Sequence, residues 1–213
     1  MKRRKAIKKL GLSLGTITLS PAVLSLLQSC NNDLDWNPVF FNSSQVNIIS
    51  ELTDLIIPSD EEVPGSKDLN LIKFIDLYIY NVSEKRRQTL LKKSLDSFLK
   101  DCLIRSNKTN TINLDRNDLE TSLIYFLKSN INSQSKWNKA YRKFSNKFND
   151  NENTISDEAL SYNFITTIRQ LTITAFKGSE YIGESVLVYR PIPGEQEGCV
   201  DLEETTGGRA WSI

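Results

Sequence analysis

The sequence predicts an all-α protein: a single orthogonal helical domain of about five or six helices, followed by an extended Pro- and Gly-rich C-terminal tail and preceded by a signal peptide. Three observations lead there. From Asn42 to Gly178 apolar residues recur every three or four positions, the period of helices that each bury one face. Residues suited to helix N-caps precede these stripes, and Pro or Gly closes several of them. From Gly183 the period is lost, and Pro191 and Pro193 forbid a helix there.

The elements follow in order. In "NSSQVNIISELTDLIIP", Asn42 and Gln45 fit a capping box. Val46, Ile49, Leu52, Leu55 and Ile56 then form one face, and Pro58 forces the stop. "SDEEVPGSKD" reads as a turn-rich loop, and Leu69, Ile72, Ile75 and Ile79 make the next stripe. Ser83 is the expected cap of a third helix, in which Leu91, Leu95, Phe98 and Cys102 recur at helical spacing, so Cys102 should be buried and inert. After the polar loop "SNKTNTIN", Asp115 can cap a helix carrying Leu119, Leu123 and Phe126. Trp137, Tyr141, Phe144 and Phe148 form an aromatic stripe, which at this spacing reads as core. Beyond "NDNENT", Ser156 or Thr154 opens a long helix through Phe164, Ile168, Leu171 and Phe176, with Gly178 as its C′ residue. The tail holds a short β-like run at Val186–Tyr189, and Trp211 near its end favours docking on this domain or on a partner.

The first residues are of another kind. Six basic residues lie between Lys2 and Lys9, and Leu10–Ser29 carries no charge, the layout of a secretory signal. Arg3-Arg4 resembles a twin-arginine export signal. Leu27-Gln28-Ser29-Cys30 resembles a bacterial lipobox, in which Cys30 is lipidated and becomes the first mature residue. A transmembrane anchor is the competing reading, but Gly11, Gly15, Pro21 and several Ser and Thr make the stretch only weakly apolar. The boundaries are thus a signal at 1–29, a tether at 30–39, a helical domain at 40–182 and a tail at 183–213.

Charge and composition narrow the function. Removing the leader takes away six of the 27 basic residues and none of the 26 acidic ones, leaving a body of about −5. Such a body is not expected to bind nucleic acid, which calls for a clustered basic face. The chain has no histidine, and so lacks the commonest general base and metal ligand. Cys30, Cys102 and Cys199 show no metal-ligand spacing, although one Cys102–Cys199 bridge is open to the chain in an oxidising compartment. No phosphate loop, dinucleotide fingerprint or nucleophile elbow occurs. Asp60-Glu61-Glu62 is interrupted by Val63-Pro64 and reads as a solvated loop, and Lys85-Arg86-Arg87 with Lys92-Lys93 as the wet face of a helix.

At "ELTDLIIPSDEEVPGSKDLNLIKFIDLYI" the sequence resembles the small subunit (subunit 3) of the gluconate 2-dehydrogenase family. The elements that carry the likeness are Asp54, Ile56-Ile57-Pro58, Pro64-Gly65 and Phe74-Ile75-Asp76. The ending "YRPIPGEQEGCVDLEETTGGRAWS" is similar to that of family members from Bacteroides-like bacteria. The resemblance implies a non-catalytic accessory subunit with no cofactor or metal of its own. Its implied partners are a large FAD-binding subunit that oxidises the sugar and a haem-bearing cytochrome c subunit that takes the electrons. It implies help with export, maturation or anchoring of the flavoprotein, with Pro191, Pro193, Gly194 and Trp211 of the tail in partner contact. The lipobox departs from the family pattern and places the protein on the periplasm-facing cell envelope, tethered by its own lipid. Two other readings stand beside this: a stand-alone envelope lipoprotein that binds a ligand or glycan, and an autonomous enzyme working through carboxylates. Replacing Cys30 by Ala is expected to move the chain from the membrane to the soluble fraction once its partner is removed; retention in the membrane overturns the anchor.

Overall fold

A computed structural model describes residues 36–147, 154–189, 194 and 199–212. Pro38–Ile213 forms one compact unit. Among the described residues the secondary structure is helical, as expected for the domain. In the tail, expected to be extended, Ile182–Val186 and Leu202–Thr206 are helical too, because the prolines lie between them, and one isolated parallel bridge joins Val188 and Trp211. The helices are α1 (Ser43–Ile56), α2 (Leu71–Val82), α3 (Lys85–Ser106), α4 (Arg116–Leu127), α5 (Ile131–Asn146), α6 (Asp157–Lys177) and the short α7 (Leu202–Thr206). Thr111–Asn113 is a 3₁₀ turn and Ile182–Val186 a π turn.

Local chemistry sets most of the boundaries. The Asn42 side chain accepts from Gln45 N–H at 2.8 Å and Gln45 Oε1 accepts from Asn42 N–H at 3.1 Å, the expected capping box of α1. Asp115 and Asp118 make the same reciprocal pair at α4, and Ser156, not Thr154, caps α6. Asn107 takes the left-handed conformation that ends α3. Gly178, expected as a C′ residue, is instead the C-cap of α6 at φ −88°.

Ser83 departs from expectation. It ends α2 as its C-cap, and Glu84 stands at the N-cap of α3 without a side-chain cap bond. The reason lies across the corner. Gln88, buried in the first turn of α3, donates from Nε2 to the carbonyls of Ile79 (3.1 Å), Tyr80 (2.9 Å) and Ser83 (2.9 Å). It thereby satisfies the acceptors that the end of α2 leaves open. Gln134 repeats the arrangement at the α4–α5 corner, donating to Leu127 and Ser129 carbonyls at 3.0 Å each.

Helix α6 is the hub, packed against α1, α2, α3, α4 and α5. Ala159, Leu160, Phe164, Ile165 and Ile168 are all but inaccessible. Rings link the helices around it: Phe98 of α3 lies 5.2 Å from Phe164 of α6, Phe126 of α4 lies 5.7 Å from Trp137 of α5, and Trp137 lies 5.3 Å from Tyr162. The aromatic stripe of α5 is therefore core at Trp137 and Phe144, with Tyr141 half-buried; Phe148 lies outside the described residues.

One buried charge-bearing group organises the start of the domain. Asp76, fully inaccessible on α2, accepts from the backbone N–H groups of Val39 (2.8 Å), Phe40 (3.0 Å) and Phe41 (2.8 Å). A buried carboxylate is tolerated only when such donors surround it. Phe40 and Phe41 are buried as a result, edge to face at 4.7 Å.

The loop between α1 and α2 doubles back on itself. Ser66 N–H donates to the Ile57 carbonyl at 2.9 Å, and Gly65 N–H donates to Ser59 Oγ and Asp68 Oδ2 at 3.1 Å each. A Cβ at Gly65 would lie 2.3 Å from Ser59 N and 2.5 Å from the Pro58 carbonyl carbon, so only glycine fits. The acidic run is part of this turn: Asp60 Oδ1 accepts from Glu62 N–H (2.9 Å) and Val63 N–H (2.7 Å).

Two predictions follow from these contacts. Asp76→Ala strands three backbone donors and is expected to destabilise the domain by about 2–4 kcal/mol. In thermal unfolding this is a fall in Tm of roughly 5–15 °C, and a loss too small to detect sinks the role given to Asp76. The second concerns acid. Backbone N–H groups of Val63 and Glu62 hold the Asp60 carboxyl below its usual range, and the Ser59 hydroxyl and Gly65 N–H do the same for Asp68. Lys108 acts likewise on Asp115, and Lys100 on Asp157. All four folded-state values are lowered, so their stabilisation is fully present above about pH 4 and is lost as pH falls through the lowered values. The urea midpoint should therefore be level from neutral pH to about pH 5 and drop below pH 4; a midpoint that stays level to pH 2 contradicts it.

Candidate functional site

The residues singled out in the sequence divide into three groups. Arg3, Arg4, Leu27, Gln28, Ser29, Cys30, Pro191 and Pro193 lie outside the described residues. In the tail, Gly194 adopts φ +76° with open space around it. Trp211 sits at the bridge with Val188, whose N–H donates to the Ala210 carbonyl at 3.0 Å and whose carbonyl accepts from Ser212 N–H at 2.9 Å.

The third group, from Asp54 to Asp76, is almost wholly architectural. Asp54 and Glu51, one turn apart on α1, share Arg116 of α4 (2.5 and 3.0 Å) and Lys67 of the loop (3.7 and 2.6 Å). Ile57, Pro58, Pro64 and Gly65 shape the loop just described, and Asp76 holds the N-terminal segment. Phe74 is the exception. It is 45% exposed and stacks on Tyr78 with centroids 5.6 Å apart and planes 24° from parallel.

Phe74 belongs to a second apolar face of α2. The inward face buries Leu71, Ile72, Ile75 and Ile79, while Phe74, Leu77, Tyr78 and Val82 are exposed. A helix apolar on all sides is normally covered on all sides. Exposed apolar stripes of this kind mark surfaces that meet another molecule. Sequence reasoning took only the inward stripe; the spacing of 74, 77 and 78 was the signal that a second face existed.

The C-terminal end of this stripe opens into a groove of about 700 Å³ between α2, the start of α3, the end of α5 and α6. Ile79, Leu90, Leu91 and Leu171 supply apolar lining, and Tyr78, Tyr141, Asn146 and Asn163 supply polar groups. Arg86 donates to the Ser145 carbonyl near the end of α5, while Arg87 also lines the groove and is exposed. Burial pushes the Tyr141 phenol above its ordinary value, against the nearby Arg87 and Arg86 charges, so it is a neutral hydroxyl at physiological pH.

Reactive groups are few. Cys102 is buried, with its thiol pushed up to about 12 chiefly by that burial, which makes it inert. Cys102 and Cys199 are both free, so the bridge left open by the sequence does not form. Among the described residues no three His, Cys, Asp or Glu side chains are placed to hold a metal ion, and no helix is long and apolar enough to cross a membrane.

A family model described as gluconate 2-dehydrogenase subunit 3 matches residues 43–194, from the start of α1 past the end of α6. The chain belongs to the gluconate 2-dehydrogenase subunit 3 family. No curated protein and no solved structure matches it. The stretch matched to subunit 3 contains the outer face of α2 and every residue of the groove, whereas the leader and Trp211 fall outside it.

Proposed function

We propose that this chain is the non-catalytic accessory small subunit of a membrane-associated, FAD-dependent sugar or polyol dehydrogenase complex, and that it meets the flavoprotein subunit through the outer face of α2. FAD resides in that large partner and haem in a cytochrome c partner. The observation that carries the reading is α2 itself: in a chain of the subunit 3 family, a helix whose inward face is already fully packed keeps Phe74, Leu77 and Tyr78 in solvent. Aromatic anchors of this type carry the energy of protein interfaces.

Other features support an accessory role. The chain has no histidine, its buried thiol is inert, and its buried carboxylate is committed to backbone donors. The twin-arginine-like leader suits export in an already folded state, alongside a cofactor-loaded partner, and Cys30 supplies the tether to the envelope. In this reading the small subunit aids the flavoprotein's export, maturation and anchoring, while substrate contact belongs to the flavoprotein.

The test is the double variant Phe74→Ser/Leu77→Ser, expressed with the flavin dehydrogenase subunit. Both sites are exposed, so the unfolding midpoint should shift little, by about 0.5 kcal/mol per site. Recovery of flavoprotein on the tagged small subunit should fall at least about tenfold, as loss of a hot-spot side chain does. Deleting the small subunit should also deplete the flavoprotein from the envelope. Undiminished recovery with the double variant removes α2 as the interface, and an unchanged flavoprotein level and location on deletion removes the accessory role.

A further inference from the structure

The charged residues that line the groove beside α2 are Arg86, Arg87 and Glu84, and further cations lie on the helices that bound it. Residues 85–93 contribute Lys85, Arg86, Arg87, Lys92 and Lys93, and α5 contributes Lys136, Lys139, Arg142 and Lys143; neither stretch contains an acidic residue. The two helix ends meet where Arg86 reaches Ser145 and Lys93 lies over the Phe144 ring at 4.9 Å. Several cations away from the groove are paired: Lys67 and Arg116 with Glu51 and Asp54, Lys100 with Asp157, Arg105 with Asp101, Lys108 with Asp115 and Asp118. Neither Arg86 nor Arg87, the two cations that line the groove, has an ion-paired carboxylate among the described residues. Glu84 is the one acidic residue among those lining the groove.

We propose that this groove receives an extended, alternating apolar and acidic segment of the flavoprotein partner, with a carboxylate seated on Arg87. The proposal rests on the accessory-subunit reading and names the chemistry of its partner. Arg86 is occupied by a carbonyl, which leaves Arg87 to present its fork of donors, a shape that matches a carboxylate bidentately. The Tyr141 hydroxyl in the same groove can add a neutral donor. Ile79, Leu90 and Leu91 accept apolar side chains beneath. Because Tyr78 and Val82 line the groove and also continue the Phe74 stripe, a segment leaving the groove runs directly onto the outer face of α2. The site is concave, which fits a peptide chain and not the flat surface of an anionic bilayer.

The experiment uses the full-length chain and three probes: a fluorescein-labelled peptide of alternating Leu and Glu, its Leu–Lys counterpart, and vesicles of phosphatidylglycerol and phosphatidylcholine in equal parts. The Leu–Glu peptide should bind, with an affinity that falls as salt rises. Arg87→Glu should weaken it at least about tenfold, as expected for loss of a hydrogen-bonded charge, with an unchanged melting curve. Phe74→Ser/Leu77→Ser should leave peptide affinity intact while losing the flavoprotein. The inference is overturned by any of four results: no peptide binding, equal binding of the Leu–Lys peptide, affinity indifferent to Arg87→Glu, or Arg87-dependent binding of vesicles or self-association in place of peptide binding. Failure of the parent reading looks different, since the wild-type chain then recovers no flavoprotein at all. Flavoprotein recovered equally by Arg87→Glu sinks the groove alone.

Discussion

The carboxylate of Asp76 is the constraint on which the domain turns. A group of this kind, fully shut off from water, must find donors or it will not stay buried. It finds three consecutive N–H groups, on residues Val39 to Phe41 that belong to no helix and would otherwise leave those donors without a partner. One side chain therefore converts a length of irregular backbone into a fixed wall. Phe40 and Phe41 are carried into the core with it, and Lys92 of α3 covers the Phe40 ring at 5.1 Å. The capping box of α1 begins at the very next residue, so the position of Phe41 sets where α1 starts. At its other end α1 is stopped by Pro58 and returned by the Gly65 turn. Asp76 and Gly65 together fix how α2 is rotated about its own axis, and that rotation decides which side chains face outward.

This gives the family pattern a physical meaning. Asp54, Ile57, Pro58, Pro64, Gly65 and Asp76 act within the chain: they make a stop, a tight return, an ion-paired edge and a buried anchor. Phe74 is the motif residue that faces solvent. A pattern made chiefly of folding instructions identifies relatives without revealing chemistry, because the function of such a protein sits on the surface the pattern holds in place. The Glu51–Asp54–Lys67–Arg116 network illustrates the difference. Its members are partly exposed, and pairs of that kind contribute little stability. Its effect is local neutralisation, two carboxylates meeting two cations at the edge of α1.

What could be read from the sequence was local. The capping boxes at Asn42 and Asp115, the stop at Pro58 and the buried stripes through Leu95, Phe98 and Cys102 each depend on residues three or four apart, the reach of one helical turn. Ser83 was misplaced because the ends of α2 and α3 are settled by Gln88, a side chain that caps the helix before its own. Nothing in the spacing of Ser83 reveals that. Asp76 left a trace that could have been used: it lies four residues after Ile72 and three before Ile79, squarely in an apolar stripe. An acid there must be paired or anchored. The groove was beyond reach, since it is assembled from α2, α3, α5 and α6, and segments far apart in sequence meet only once the aromatic core has formed. The basic run at 85–93 was legible as a solvated helix face, and its five cations are exposed on α3; what spacing could not show is that Arg86 and Arg87 line a groove shared with α5.

The two exposed features of the molecule differ in range, and so in what they can do. Charge on α3 and α5 acts over about 8 Å at physiological salt, whereas the Phe74 stripe acts only on contact. On the docking proposed above, a partner that carries acidic residues is oriented by Arg87 and the neighbouring cations before the apolar stripe can engage. Apolar burial against α2 then governs how long the complex lasts, since changes at a packed interface appear mainly in the off-rate. An accessory subunit benefits from this order. On the proposed reading it recognises a large partner first and then stays attached to it. Neither task asks for a catalytic group, and both ask that α2 and α3 be held rigidly relative to each other. Gln88 does that at their corner by tying the carbonyls of Ile79, Tyr80 and Ser83 at the end of α2 to the first turn of α3, so the groove and the apolar stripe share one fixed frame.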